Sequence, residues 1–291
     1  MVGVGGLEGG APSGQGGRPM NGPGDREDRV GGILKVCCLN VKGCNKEEKR
    51  EEIGIMFKDE GIDVLAVCET KLKGKGWVQF GDSKGLMSGV NERVRAKEGV
   101  GLIMKNELWK LVYESRCVSS RILWVKVKIG NEKWVLVSVY GPGSERSREE
   151  RLEFWESLDR VLQGFGLDQK VCMLGDMNAK VGDREVRGVV GSCGVDGRNE
   201  NGESLIELCL GRGLKIMNTY FRKRRDNKLT WMSEINGEGA LIDYVCVSGR
   251  ECARVVDVTV RRRAGGGLSD HYLVMGKVKI KKGWRRVERK E

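Results

Sequence analysis

Val171-Cys172-Met173-Leu174-Gly175-Asp176-Met177-Asn178 joins four apolar residues directly to a glycine and a polar turn. A short apolar run bounded by turn residues reads as a strand buried on both faces. The Gly-Asp-x-Asn turn at its end sets a carboxylate, Asp176, and an amide, Asn178, two residues apart, where both can project from the same side of a rigid element. The pattern of apolar strand followed by polar motif recurs along the chain. Asn40-Val41-Lys42-Gly43 follows a strand ending at Leu39, Glu69-Thr70 follows Val64 to Cys68, and Tyr140-Gly141-Pro142 follows Val135 to Val139. Ile242-Asp243-Tyr244 lies within an apolar run at 241–247, and Ser269-Asp270-His271 stands just before Tyr272 to Met275. Loops from a rigid sheet meet at strand ends, so these motifs predict one shared pocket.

Around them the apolar periodicity predicts strands at 33–39, 63–68, 99–104, 122–129, 134–140, 170–175, 214–218, 241–247, 255–260 and 272–280, with helices at 46–60, 147–163 and 203–211. Trp124-Val125-Lys126-Val127-Lys128-Ile129 alternates, as a half-buried strand of a mixed or antiparallel sheet does. Ile53, Met56 and Phe57 share one face of the first helix, and Leu152, Trp155, Leu158, Val161 and Leu162 one face of the second. Two sheets packed face to face with helices outside, an α/β architecture, is the economical way to bury so many strands in one domain. Residues 1–32, rich in glycine and holding three of the four prolines, predict a leader too poor in large apolar side chains to fold. A single domain at 33–280 and a basic tail at 281–291 complete the expected organisation.

Lys and Arg number 52 against 41 Asp and Glu, giving a net charge of +11. Most of that excess lies on the body, which favours a polyanionic partner, nucleic acid ahead of an anionic membrane. The densest clusters are Arg222-Lys223-Arg224-Arg225, Arg261-Arg262-Arg263 and Lys281-Lys282. Ten cysteines without a charged-then-apolar signal segment read as reduced thiols of an intracellular protein, nuclear ahead of cytoplasmic. No CxxC pair occurs, and one histidine cannot complete a His-rich zinc site. No apolar run approaches the ~18 residues that cross a bilayer. A monomer without membrane, haem, flavin or nucleotide cofactor is expected.

His271 is the only histidine, so any proton transfer by an imidazole near neutral pH must happen there. Glu69, helped by Asn40 and Asp270, offers the hard oxygen donors that Mg²⁺ prefers. Asp243 paired with His271 would fix the tautomer and steady an imidazolium. Asp176 and Asn178 can handle water or a departing oxygen, and Tyr140 offers a phenol to a phosphate. These are the parts that phosphodiester hydrolysis requires.

The ordered series, from Asn40-Val41-Lys42-Gly43 to Ser269-Asp270-His271, resembles the endonuclease/exonuclease/phosphatase superfamily from about Ile33 to Ile280. Within it, Gly197-Arg198-Asn199-Glu200-Asn201-Gly202, Leu205 to Cys209, Leu214 to Thr219 and Thr230-Trp231 are similar to the endonuclease domains of RTE-type non-LTR (LINE) retrotransposons. The resemblance implies a DNase I-like, four-layered α/β sandwich with the site at one sheet edge, dependence on Mg²⁺ or Mn²⁺, and nicking of DNA. It implies Asn40 and Glu69 near the metal and Tyr140 and Asn178 on the phosphate; Asn218 and Trp231 are candidates for further phosphate or DNA contacts. Asp176 would move protons, with Asp243, Asp270 and His271 around the nucleophilic water. Two positions depart from the superfamily: Lys42 stands where repair nucleases carry an Asp, and Gly143 follows Tyr-Gly-Pro where many relatives have Asn. The loop from Met232 to Leu241, acidic at Glu234 and Glu238, reads as a turn rather than a groove-entering element. Other readings left open are a phosphatase of inositol phosphates or nucleotides, and a domesticated domain that binds nucleic acid or protein without turnover.

Overall fold

The computed structural model describes residues 32–233, 235–265 and 267–280. The expected tail, and the leader up to residue 31, lie outside them. The first half of the chain runs β1 (Gly32–Asn40), α1 (Glu47–Asp59), β2 (Val64–Cys68), β3 (Lys75–Phe80), β4 (Ser83–Ser88), β5 (Val100–Met104), α2 (Asn106–Trp109), β6 (Val112–Ser119), β7 (Ile122–Ile129) and β8 (Glu132–Tyr140). The second half runs α3 (Arg148–Gln163), β9 (Lys170–Asp176), α4 (Glu200–Arg212), β10 (Leu214–Ile216), β11 (Trp231–Met232), β12 (Gly239–Ala240), β13 (Asp243–Ser248), β14 (Val255–Arg261) and β15 (Leu273–Ile280).

Seven strands form one sheet in the order β14-β15-β1-β2-β5-β4-β3, and six form the other in the order β10-β13-β9-β8-β7-β6. Each sheet has one parallel pair, β1 with β2 and β8 with β9. A parallel pair needs a crossover, and α1 and α3 supply them. Two β-α-β units therefore face each other, and all four parallel strands end at the same pole. The other neighbouring strands of the two sheets pair antiparallel; Gly32 at the start of β1 pairs with Ile280 at the end of β15.

Alternation along the strands assigns the layers. Leu34, Val36 and Cys38 of β1 point between the sheets, where they join Leu123, Val125, Leu136, Leu174 and Val245. Cys37 and Leu39 point the other way, onto Ile53, Met56 and Phe57 of α1. On the outer face of the second sheet Val135, Val137 and Val139 pack against Phe154, Trp155 and Leu158 of α3 and Leu205 and Cys209 of α4. The result is the expected α/β sandwich of two mixed sheets flanked by helices.

Helix starts follow local chemistry. Ser147 caps α3 by accepting from Glu150 N while Glu150 Oε2 accepts from Ser147 N, a reciprocal capping box. Leu152, expected on the buried face of α3, is 48% exposed, and Phe154 is buried instead. α4 starts earlier than the predicted 203, because Asn199 Oδ1 accepts from Gly202 N and caps the helix there. Strands β3, β4 and β6 were not expected from the sequence. β3 and β6 are edge strands, half of β6 open to solvent, so neither shows an apolar run; in β4 Gly85 leaves only Leu86 and Met87 as a short apolar pair.

Candidate functional site

Register places the key side chains before any side-chain contact does. In the second sheet Tyr140, Asp176 and Asp243 are neighbours across three adjacent strands, Asp176 pairing with both of the others. In the first sheet Asn40 pairs with Cys68, one residue before Glu69. Asn40 joins the two: its Nδ2 donates to Asp176 Oδ2 at 2.9 Å and to Glu69 Oε2 at 3.1 Å. Tyr140 OH donates to the same Glu69 oxygen at 3.1 Å. Close approach of the strand ends depends on glycine, since a Cβ on Gly175 would lie 1.9 Å from Val139 O and one on Gly141 would lie 2.2 Å from Met177 O.

His271 completes a buried core to this pocket. Its Nδ1 is 2.9 Å from Asp243 Oδ2 and its Nε2 is 3.9 Å from Asp176 Oδ2. Asp176, Asp243 and His271 place their donor atoms within 4.8 Å of one another, all buried. Asp243 Oδ1 has no hydrogen-bond partner among the described residues. Asp243 is steered from its backbone: Thr230 Oγ1 accepts from Ile242 N at 3.0 Å and from Asp243 N at 3.1 Å. Trp231 bridges to His271 and donates Nε1 to Asp270 Oδ2 at 3.0 Å.

Charge follows from this crowding. Burial disfavours a charged His271, but the Asp243 carboxylate, helped by Asp176 and Asp270, outweighs it and raises the imidazole to about 9. Burial and the Asp243 charge raise Asp176 to about 7, against the pull of His271, Asn40 and the Asn178 N–H. Burial and the Glu69 carboxylate push Tyr140 above its ordinary value, so it stays a neutral donor. Asp270 is partly buried, yet its bonds from Trp231 and Lys42 hold it below the usual carboxylate range. In the ion-free protein His271 is thus charged at neutral pH, and Asp176 is the group whose protonation changes there.

The structure brings together Asn40, Glu69, Tyr140, Asp176, Asp243, Asp270, His271 and Trp231. Asn178 sits at the same end, with φ 47°; its N–H bonds Asp176 Oδ1 and its side chain donates to Gly141 O. Asn218 is spent on structure: its amide donates to Asp243 O and accepts from Val245 N, which braces β13 from behind. The loop after Trp231 is a hairpin of β11 and β12, closed by Ser233 N donating to Glu238 O.

Sequence reading assigned no role to three groups that matter. Asn201 Nδ2 donates to Pro142 O and Asn178 O, and Asn199 Nδ2 also donates to Asn178 O, so the Gly197–Gly202 motif clamps both loops. The tyrosine loop is further fixed by Arg121, which donates to Tyr140 O and Gly141 O and pairs with Glu98. Lys71 Nζ lies 3.0 Å from Glu69 Oε1. Spacing held a signal only for the asparagines, which stand in a polar motif ahead of a helix.

The donor set fits a hard divalent cation. Carboxylate oxygens converge, one of them unpartnered, and the rim carboxylates of Glu69 and Asp270 already draw the ammonium groups of Lys71 and Lys42. Among the described residues no helix is long and apolar enough to cross a membrane.

No family model matches the chain. It is 29% identical over 220 residues to craniofacial development protein 2 of Bos taurus, across 76% of this chain and 37% of that protein. The chain thus spans well under half the length of this curated relative. The structure is similar to AP endonuclease LMAP from Leishmania major, with a TM-score of 0.63, 18% identity and coverage of 85% of this chain and 88% of that one. It is similar as well to the endonuclease domain of TRAS1, a telomere-specific non-LTR retrotransposon, with a TM-score of 0.61, 14% identity and coverage of 85% and 98%. These likenesses give the chain a DNase I-like fold and are consistent with the endonuclease/exonuclease/phosphatase superfamily.

Proposed function

We propose that this chain is a divalent-metal-dependent endonuclease that hydrolyses DNA phosphodiester bonds, a nicking enzyme of retrotransposon descent. The observation that carries the reading is the buried Asp243–His271–Asp176 group set beside Glu69, Asn40 and Tyr140 at the common end of both β-α-β units. Glu69, with Asp270 and Asn40 at the same mouth, would hold Mg²⁺, with Mn²⁺ as a substitute; bound there, the ion supplies charge neutralisation at a phosphoryl oxygen.

The protein's own groups account for the rest. Asp243 holds Nδ1 of His271, so the charged imidazole presents its Nε2 proton toward the pocket and can bond a phosphoryl oxygen as negative charge builds there. Asp176, near 7, can take a proton from water or return one to the leaving oxygen, as a group matched to the working pH does. Asn178 keeps a second amide N–H that can donate to the phosphate, and Tyr140 would do so by turning its one proton away from Glu69. Asn40 keeps Glu69 and Asp176 at a fixed separation.

A net charge of +11 suits a polyanionic substrate, and a DNA substrate would place the protein in the nucleus. Supercoiled plasmid with Mg²⁺ should become nicked circles, and His271→Ala should abolish this. Plasmid left intact at high protein concentration across Mg²⁺ and Mn²⁺, with salt-dependent binding retained, would leave a binding protein without turnover.

A further inference from the structure

Two ammonium groups stand at the mouth of the site, each on a different carboxylate. Lys71 Nζ is 3.0 Å from Glu69 Oε1, and Lys42 Nζ is 3.1 Å from Asp270 Oδ2. Lys42, Glu69 and Lys71 all have left-handed backbone, with φ of 48°, 52° and 54°. Non-glycine residues keep such conformations only where the surroundings over-determine them, and they gather at working sites. Here the surroundings are explicit. Gly43 N donates to Glu69 O and Cys44 N to Thr70 O, which zips the loops after β1 and β2 together, and Lys71 N donates to Glu98 O, which ties the second loop to the segment ahead of β5.

The stem of Lys71 crosses Gly43, where an added Cβ would come 3.2 Å from Lys71 Cδ. Loop backbone and a missing side chain thus aim this ammonium at Glu69 Oε1. The other oxygen, Oε2, already accepts from Asn40 and Tyr140. A divalent cation coming to Glu69 therefore meets a carboxylate whose outward oxygen carries a positive charge. Lys71 can leave, because its side chain is 37% exposed and its long stem reaches solvent. Lys42 is placed differently, sharing Asp270 Oδ2 with the Trp231 indole.

Resting on the reading of Glu69 as the cation's carboxylate, we propose that Lys71 is a resident counter-ion that the incoming divalent metal must displace from Glu69 Oε1. The exchange keeps Glu69 neutralised when no ion is bound and weakens the site's hold on the ion. Lys71 is then a positioning residue for the metal, and its removal strengthens binding rather than impairing it.

The test is a titration of the whole chain with Mn²⁺ alone, without DNA, followed by the electron spin resonance of free Mn²⁺. Lys71→Met and Lys71→Gln should each bind Mn²⁺ roughly five- to tenfold more tightly than wild type, the scale expected for losing one partly screened ion pair. Lys71→Arg, which keeps the charge, should stay within about twofold of wild type by the same measure. Thermal melts confirm that each variant is folded. Unchanged or weaker binding in Lys71→Met and Lys71→Gln overturns the exchange, as does an equal gain in Lys133→Met, whose partner Asp168 lies outside the site, or the absence of Mn²⁺ binding in every variant. Nicking by wild type is scored separately, so a protein that shows the exchange but leaves plasmid intact refutes the reaction and not the counter-ion.

Discussion

Strands β8 and β9 carry a buried ionic cluster at each end, and the two clusters are built on opposite rules. At the far end Glu132 and Glu251 meet Lys170 and Arg254: the Arg254 guanidinium grips both oxygens of Glu132 at 2.8 Å and bonds Glu251 at 2.9 Å. Lys170 pairs with both carboxylates. Both cations also lie over the Trp134 ring. Two charges of each sign are matched, and the cations hold Glu251 below its ordinary range against the effect of burial. At the near end two aspartates share one imidazole, an oxygen is left without a partner, and the ionisation of Asp176 and His271 is displaced upward. Matched charge holds a structure together, whereas unmatched charge stores reactivity.

The largest test of this contrast is to cut each cluster once. Asp243→Asn should lower nicking by about three orders of magnitude, as loss of an imidazole's orienting carboxylate can, without lowering the melting temperature at a pH above about 9, where His271 is neutral with or without Asp243. Glu132→Gln should do the reverse. It should cost about 2–4 kcal/mol in denaturant unfolding by leaving cations at the boundary of the core short of a partner, with nicking within about twofold at a permissive temperature. If both variants lost activity and stability together, the division of labour between the ends would fail.

Next in size is the stability of the near end itself. Asp176 binds protons more tightly folded than unfolded, so the ion-free protein should lose stability as pH rises from about 4 to 7. His271 adds stability that is complete below its unfolded value near 6.5 and disappears as pH climbs through about 9. Glu251 has the opposite sign, contributing above its unfolded value and failing as pH falls through its lowered one. Asp176→Asn should therefore raise the melting temperature at pH 8 in chelator while reducing nicking. A melting temperature at or below wild type would contradict the unmatched-charge reading.

A narrower measurement uses the single imidazole. Its nuclear magnetic resonance signals are unambiguous, and in chelator they should titrate near 9 in wild type and clearly lower in Asp243→Asn, where burial is opposed by less charge. A wild-type midpoint near 6.5 would remove the imidazolium from the proposed chemistry. Smallest is the clamp on the two loops: Asn201→Ala should reduce kcat/KM by about tenfold and stability by about 1–2 kcal/mol, since its amide serves two carbonyls and the Trp155 indole. An unchanged kcat/KM would mean that the loops hold their places without it.

Much of this was legible beforehand because apolar strands and polar strand ends are written in adjacent residues. Leu174-Gly175-Asp176 and Cys68-Glu69 announce a buried strand and what it delivers. The pairing of Asp243 with His271 followed from there being one histidine. The charge state of that histidine did not, because it depends on a third carboxylate, Asp176, that comes near only through folding. Edge strands such as β6 escaped detection because half of their surface faces water and their residues are chosen for solubility. Asn218 reads as a polar residue near a strand end, and its inward orientation is set by a 3-10 turn at Met217–Tyr220 that no local spacing signals. The lysine on Glu69 was hidden for a similar reason: a left-handed backbone at Lys71 leaves no mark on the sequence.

The pairing of Gly32 with Ile280 makes the two ends of the described fold next-door neighbours, separated by about 5 Å as antiparallel partners are. β1 then travels eight residue steps, roughly 26 Å, before it delivers Asn40 to the pocket. The described fold therefore begins and ends on the side turned away from the chemistry. Closing residues 32–280 into a ring with a short linker between those two ends and reopening it at a surface turn is a permutation that touches neither Asn40 nor its neighbours.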